Sequence, residues 1–216
     1  MRRDHRFKMR IIPAEIKKIL KPVTAGLIAC FIICGLPARE KCFAGGNMKK
    51  AVMIIAANQF KEEELFEPKA ILEQAGIGVT VASTTLNNAA GTAGRVVKPQ
   101  LLVRDIAAGD FDAVIFVGGG GAEQYWNDHA AHALADEAYK KGKIVAAICI
   151  APVTLARAGI LRGKRATVFY SEAALLSAAG AKYTGSNVEK DGNIITASGP
   201  AAAREFGEEL VKAILY

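Results

Sequence analysis

Apolar runs alternate with helical patterns along most of this 216-residue chain. The runs at 51–57, 112–117 and 143–148 are apolar almost throughout and lack the polar–apolar alternation of a half-exposed strand. Strands of this kind are buried on both faces, which is typical of a parallel sheet covered by helices. The sequence therefore predicts an α/β fold, a three-layer sandwich with a mainly parallel sheet and helices on both of its faces.

The remaining segments fit repeated strand–helix units followed by a hairpin. Gly76 and Gly142 end two predicted helices, as glycine commonly does. Asp191 and Gly192 supply the tight turn of a hairpin at 188–195. The other predicted elements are strands at 78–83 and 165–168, helices at 62–75, 130–141, 150–158, 171–179 and 201–215, and a surface loop at 87–94.

The net charge of +7 is confined to the first 47 residues. Residues 1–47 hold ten Lys or Arg and three Asp or Glu, whereas residues 48–216 hold 18 of each kind. A neutral globular part lacks the basic surface of a nucleic-acid-binding domain. We therefore expect a leader at 1–47, a single domain at 48–216 and no nucleic-acid partner.

The leader has the order of a secretory signal. Eight Lys or Arg in residues 2–21 precede an uncharged run at 23–36, and Ala44 precedes two glycines at the expected cleavage point. The run is shorter than the roughly 20 residues that span a bilayer, which favours a cleaved signal over an anchor. We expect an exported protein, periplasmic or secreted, that contacts a membrane only through an uncleaved leader. Translation from Met48 would instead give a cytoplasmic protein.

Cys149 lies between the apolar run at 143–148 and the predicted helix at 150–158, and it is the only cysteine after Cys42. At a sharp strand-to-helix turn, the first free N–H groups of the helix point toward the thiol and favour the thiolate. A free cysteine is also commonly a small buried apolar residue. This context alone leaves both a reactive and a structural Cys149 open.

Three segments in a fixed order resemble the ThiJ/PfpI family of the class I glutamine amidotransferase-like superfamily, which includes the parkinsonism-associated deglycases. They are 60–68, 117–122 and 147–152, and the resemblance runs from about residue 48 to 216. It implies a flavodoxin-like sandwich in which Cys149 is the reactive residue and Glu64 donates a hydrogen bond to it. A carboxyl group beside a thiolate has a raised pKa and, when protonated, can donate to sulfur. With this pair in view, we interpret Cys149 as functional.

Four successive glycines, Gly118 to Gly121, follow the apolar run at 112–117. They lie at the edge where open α/β sheets bind ligands. The run lacks the further glycine and the Lys-Ser/Thr pair of nucleotide-binding loops, and a tight turn explains only some of its glycines. The resemblance implies that backbone N–H groups of Gly118, Gly119 and Ile150 hold the oxyanion of a carbonyl under attack.

Two positions at which relatives place a histidine carry apolar residues here. They are Ile150, directly after the cysteine, and Phe169, after the next predicted strand. Phe169 and the adjacent Tyr170 are instead candidates for lining a substrate pocket. Glu64 is therefore the one evident proton-transfer partner of Cys149.

The only histidines after residue 47 are His129 and His132. Three positions apart near a helix start, they would at most form a weak metal site, and we interpret them as exposed helix residues. No cluster of Cys, His or Asp has the spacing of a zinc site. We expect neither a metal nor a cofactor.

Three functions are compatible with these residues. In the first, Cys149 adds to a reactive dicarbonyl such as methylglyoxal, or to its adduct on a protein, and Glu64 shuttles the proton, as in a glyoxalase III or a deglycase. In the second, the chain is a redox-sensing stress protein or chaperone whose Cys149 is oxidised to a sulfinate. The third, a PfpI-type cysteine peptidase, is weakened by Ile150. The expected partners are a small carbonyl compound or a glycated protein, and a second copy of the chain in a homodimer or larger homo-oligomer.

Overall fold

Twelve strands and five α-helices form most of residues 48–216, the part of the chain that this computed structural model describes. The predicted leader at 1–47 lies outside the described residues. The strands are β1 Lys50–Ile54, β2 Asn58–Phe60, β3 Gly78–Ser83, β4 Ala89–Gly91, β5 Val96–Val97, β6 Leu101–Leu102, β7 Ala113–Phe116, β8 Ile144–Ile148, β9 Arg165–Ala166, β10 Lys182–Tyr183, β11 Val188–Asp191 and β12 Ile194–Ala197. The helices are α1 Glu62–Gln74, α2 His129–Lys140, α3 Pro152–Arg157, α4 Ala173–Ala178 and α5 Ala203–Leu215.

A seven-stranded sheet with the order β11-β12-β8-β7-β1-β3-β6 forms the centre of the domain. Its neighbouring strands are parallel except for β11, which pairs antiparallel with β12. Two small sheets, β2-β4-β5 and β9-β10, lie outside it. The predicted mainly parallel sheet is confirmed.

Both faces of the central sheet are packed with apolar side chains. Val52 and Ile54 of β1 belong to one buried cluster, together with side chains of α2, α3 and α4. Ala51 and Met53 of β1 belong to a second cluster, with side chains of α1 and α5. Because successive residues of a strand point to opposite faces, two-sided burial requires the uninterrupted apolar runs seen in the sequence.

The strand order reverses next to β1. This strand has β3 on one side and β7 on the other, so the direction of the chain across the sheet reverses between β1 and β7. Open α/β sheets bind their ligands at such a point, outside the carboxyl ends of the strands. The segments that follow β1, β7 and β8 meet at this edge.

The predicted hairpin exists, but its turn lies one residue later than expected. Asp191 pairs with Ile194 in the ladder, so Gly192 and Asn193 form the turn, and Gly192 has a φ of +65°. The carboxylate of Asp191 accepts hydrogen bonds from Lys164 Nζ at 3.1 Å and from a backbone N–H at 2.9 Å. Asp191 is therefore a strand residue that ties the hairpin to the start of β9.

The predicted surface loop at 87–94 contains the strand β4, so that prediction is wrong in part. The strand β4 pairs with β2 and β5. Glu62, at the start of α1, fixes the adjoining turn: its carboxylate accepts from Thr92 Oγ1 at 2.8 Å and from Ala93 N–H at 2.7 Å. Although burial raises the pKa of Glu62, these hydrogen bonds lower it overall.

Among residues 48–216, no helix is long and apolar enough to cross a membrane.

Candidate active site

Cys149 occupies a strained position directly after β8. Its φ is +64°, in the left-handed region that costs a residue with a side chain of the order of 1–3 kcal/mol. Two backbone hydrogen bonds hold it there: its N–H donates to Ala197 C=O at 2.9 Å, and its C=O accepts from Phe169 N–H at 2.8 Å. Strain that is maintained by surrounding contacts is typical of functional positions.

The helix after Cys149 begins later than predicted and offers fewer free N–H groups. It starts at Pro152, which has no N–H. The N–H groups of Ala151 and Val153 already donate to Ile148 C=O and Ile150 C=O. The expected cluster of free helix N–H groups around the thiol is therefore wrong.

Two backbone N–H groups lie close enough to the sulfur of Cys149 to lower its pKa. They belong to Ile150 and to Gly119, which follows β7. The thiol is otherwise enclosed, with 8% of the residue exposed. Gly118, also predicted as an oxyanion donor, directs its N–H to the carboxyl group of Glu64 instead.

Glu64 is fully buried in the first turn of α1. Its carboxyl group lies within hydrogen-bonding reach of the Cys149 thiol and the Gly118 N–H. Neither oxygen has a fully aligned hydrogen-bond partner among the described residues. Pro68 follows one helical turn later and has no N–H for the Glu64 carbonyl. A buried carboxyl group without an ion pair is costly, and its one reactive neighbour is Cys149.

The glycine run is required by close packing around this pair. A Cβ at Gly118 would collide with Glu64 Oε2 and lie 2.5 Å from Cys149 Cβ. Gly119 has a φ of +94°, and a Cβ there would collide with the backbone of residues 59–61. The Gly118 C=O also accepts from Lys61 N–H at 3.1 Å, which anchors the start of α1. These two glycines thus bring α1 against the loop after β8.

Glu64 and Cys149 titrate as a pair. Burial raises the pKa of Glu64 to about 7, although contacts with the Cys149 thiol and Gly118 N–H oppose the rise. Burial, followed by the negative charge of Glu64, raises the pKa of Cys149 to about 12, although the N–H groups of Gly119 and Ile150 oppose it. The pair therefore loses one proton near neutral pH and keeps the second into the alkaline range.

This result changes the expected state of the thiol. The sequence led us to expect a substantially ionised Cys149 beside the Glu64 carboxyl donor. A thiolate beside an ionised Glu64 would place two negative charges together in a buried site, so the proton that is lost near neutral pH belongs to the pair and not to Cys149 alone. Once the pair has lost one proton, the other is shared. It lies either on sulfur beside a carboxylate or on the carboxyl group beside a thiolate.

Trp126 contacts the site but carries no sequence signal for it. Its indole N–H donates to the carbonyl of Ile150 at 3.2 Å, and the guanidinium of Arg157 lies 5.3 Å from the ring centroid. Trp126 and Ile150 are 24 positions apart, so the spacing of residues along the chain could not reveal this contact. The contact orients the residue whose N–H faces the sulfur.

The predicted histidines lie outside this constellation. His132 Nε2 lies 3.1 Å from the Trp126 carbonyl, and His129 is exposed at the start of α2. Phe169 is half-buried and Tyr170 is exposed. No group of three or more potential metal ligands occurs within residues 48–216.

A sequence profile of the DJ-1/PfpI family matches residues 49–213. The chain belongs to the DJ-1/PfpI family. The match covers nearly all of the described residues, including the elements that carry Glu64, Gly118 and Cys149.

Individual relatives match over most of their own length. An uncharacterized protein of Methanocaldococcus jannaschii is 46% identical over 173 residues, which are 78% of this chain and 84% of that protein. A deglycase of Pyrococcus abyssi is 32% identical over 74% of this chain and 97% of its own length. The crystal structure of a ThiJ/PfpI domain protein from Brachyspira murdochii superposes with a TM-score of 0.76 at 33% identity, over 78% of this chain and 98% of that one. The flavodoxin-like fold is thereby established.

Proposed function

We propose that this DJ-1/PfpI protein is a cysteine-dependent enzyme that acts on reactive carbonyl compounds. The observation that carries the proposal is the buried carboxyl group of Glu64, which faces the Cys149 thiol and has a pKa raised to about 7. An acid–base group with a pKa near the working pH is the most effective proton carrier. A structural role for Glu64 would not require a carboxyl group without an ion pair.

In the first step, Cys149 Sγ bonds to the aldehyde carbon of an α-oxoaldehyde. The π electrons of the C=O bond move to oxygen, and the thiol proton passes to that oxygen through the Glu64 carboxylate, giving a hemithioacetal. Glu64 then moves a proton from the former aldehyde carbon to the neighbouring carbonyl carbon by way of an enediol. The resulting thioester is an isomer of the hemithioacetal, and water hydrolyses it to a 2-hydroxy acid and the free thiol.

The oxyanion of the first adduct forms within reach of two backbone donors. The N–H groups of Gly119 and Ile150 both lie near the sulfur, which supports a role for both in binding charge that develops next to the C–S bond. Gly118 is assigned a different role, since its N–H faces Glu64. It positions the proton carrier and does not contact the substrate.

One comparison and one chemical argument bear on the substrate. The similar Pyrococcus abyssi protein is named a deglycase, which supports early carbonyl adducts on proteins as substrates besides free dicarbonyls. Peptidase activity has less support, because expulsion of an amine needs an acid–base residue such as histidine. Neither described histidine contacts Cys149 or Glu64.

Incubation of the purified protein with methylglyoxal tests the proposal. We expect multiple turnovers to lactate, loss of turnover in Cys149→Ser, and a loss of at least about 100-fold in Glu64→Gln, which removes the proton carrier. Glu67→Gln, an exposed carboxyl on the same helix, is the matched control and should retain activity. Peptide cleavage that depends on Cys149, without turnover of methylglyoxal or glyoxal, would contradict the proposal.

A further inference from the structure

A cavity of about 210 Å³ is lined by two segments that neighbour the backbone of the reactive cysteine. Two segments, 168–170 and 198–201, form most of its wall, together with Tyr183 and Gly185. Both segments are connected to Cys149 by the hydrogen bonds that hold its strained backbone. Phe169 donates to the carbonyl of Cys149, and Ala197, which accepts from its N–H, directly precedes the second segment. The cavity is therefore lined by segments that flank the backbone of Cys149, while Cys149 itself is not one of its lining residues.

The wall of the cavity is aromatic and uncharged. The rings of Phe169 and Tyr170 lie with their centroids 4.7 Å apart, and Gly199 leaves room for the Phe169 ring against the second segment. Tyr170 is 77% exposed and Tyr183 is 37% exposed, so aromatic surface is available to a ligand. None of the lining residues carries a charge. A charged substituent would lose its hydration there without gaining a partner.

The size of the cavity suits a single aromatic ring. A dry apolar cavity of about 150 Å³ is enough to bind benzene, and the cavity lined by 168–170 and 198–201 is larger. Aromatic rings also interact favourably with one another in tilted and edge-to-face arrangements. The lining residues thus favour a flat, uncharged ring over a small methyl group, which would leave most of the volume unfilled.

We infer that this cavity binds the substituent of the substrate, and that the enzyme prefers aryl α-oxoaldehydes, such as phenylglyoxal, to methylglyoxal. The inference rests on the proposed function for the reaction at Cys149 and on the cavity for the choice of substrate. Phenylglyoxal and water give mandelate by the same sequence of bond changes. Phe169 and Tyr170 act as specificity-determining residues in this account.

Kinetic comparison of the two aldehydes tests the inference. We expect kcat/KM for phenylglyoxal to exceed that for methylglyoxal, and Tyr170→Ala to lower it about three- to tenfold by removing a ring contact. Ala201→Phe, at an exposed position of the lining, should fill the cavity and lower kcat/KM for phenylglyoxal further. Methylglyoxal turnover should fall less than phenylglyoxal turnover in both variants, so that the ratio of the two kcat/KM values changes. Tyr216→Ala, at a fully exposed tyrosine outside the cavity, is the control.

The assays use Cys149→Ser at equal concentration as the blank, because phenylglyoxal also reacts with arginine side chains. If the protein turns over methylglyoxal but both cavity variants leave the ratio of the two kcat/KM values unchanged, the inference is overturned while the proposed function stands.

A second measurement does not depend on turnover. Acetophenone has the ring of phenylglyoxal but no aldehyde, and its binding to the wild-type protein can be followed by ligand-observed NMR. We expect binding that is lost in Ala201→Phe and retained in Tyr216→Ala. If no dicarbonyl is consumed at all, the proposed function fails, and this measurement alone decides whether the cavity binds aromatic rings: absence of binding, or equal binding by Ala201→Phe, overturns the inference.

Discussion

The carboxyl group of Glu64 faces the thiol of Cys149 across Gly118, a position where no side chain fits. Gly118 and Cys149 follow β7 and β8 of the central sheet, and Glu64 lies on α1, the first helix after β1 and β2. Burial places the ionisation of Glu64 near neutral pH. This arrangement gives the thiol a proton acceptor that is matched to neutral conditions.

The first prediction concerns stability and pH. Burial raises the pKa of Glu64 from an ordinary 4.5 to about 7 in the folded protein. Between pH 4.5 and pH 7, Glu64 is protonated in the folded state but ionised in the unfolded state. The stabilising contribution of this group is therefore fully present below pH 4.5 and falls as the pH rises to 7. The free energy of unfolding of the wild type decreases by about 3 kcal/mol in total for this reason, and this decrease is absent in Glu64→Gln.

Urea denaturation at pH 4.5 and pH 8 measures this contribution. The free energy of unfolding of Glu64→Gln relative to wild type should increase by about 3 kcal/mol between the two conditions. For Glu67→Gln, which alters an exposed carboxyl, the difference from wild type should stay nearly constant. If the free energy of unfolding of Glu64→Gln relative to wild type does not change between pH 4.5 and pH 8, Glu64 has an ordinary pKa in the folded protein.

The second prediction concerns the close contact at Gly118. In Gly118→Ala, the added methyl group must displace Glu64 or Cys149, so dicarbonyl turnover should be lost and the protein destabilised by roughly 1–3 kcal/mol. Gly109→Ala is the matched control, because a Cβ there meets only the flexible end of Lys141 at 3.5 Å. Circular dichroism establishes that both variants fold. Full activity in a folded Gly118→Ala would be incompatible with the described packing.

The third prediction concerns the leader. The basic, apolar and small-residue order of residues 2–44 leads us to expect cleavage after Ala44 and export of the domain. N-terminal sequencing of the mature protein from fractionated cells should give a chain that begins near Gly45, outside the cytoplasm. Recovery of a chain that begins at Met48 in the cytoplasmic fraction would refute export.

Much of the central domain could be predicted from local sequence pattern. The strand β3 begins and ends at the predicted residues, and Gly76 and Gly142 follow α1 and α2 with φ values of +82° and +70°. Such features depend on hydrophobic continuity and on a single residue's conformational freedom. The small sheet of β2, β4 and β5 was missed because its strands are two or three residues long and β2 pairs with a strand about 30 positions later in the chain.

The candidate site was predictable in its members but not in its electrostatics. The resemblance pointed to Cys149 and Glu64, whereas the different roles of Gly118 and Gly119 depend on which way each N–H points. The strand-to-helix context suggested free helix N–H groups, but the local turn and Pro152 use or remove them. Burial of both titrating groups, which sets their pKa values, arises only from the folded chain.

The rate of Cys149 alkylation by iodoacetamide as a function of pH tests the central claim most directly. The pair gains its reactive, singly deprotonated form as Glu64 ionises, so the wild-type rate should rise with a midpoint near 7, below the value of about 8.5 for an ordinary thiol. In Glu64→Gln the midpoint should move above 8.5, since the buried thiol must then ionise without a proton acceptor. A wild-type midpoint at or above 8.5, or the same midpoint in both proteins, would contradict the pairing of Glu64 with Cys149.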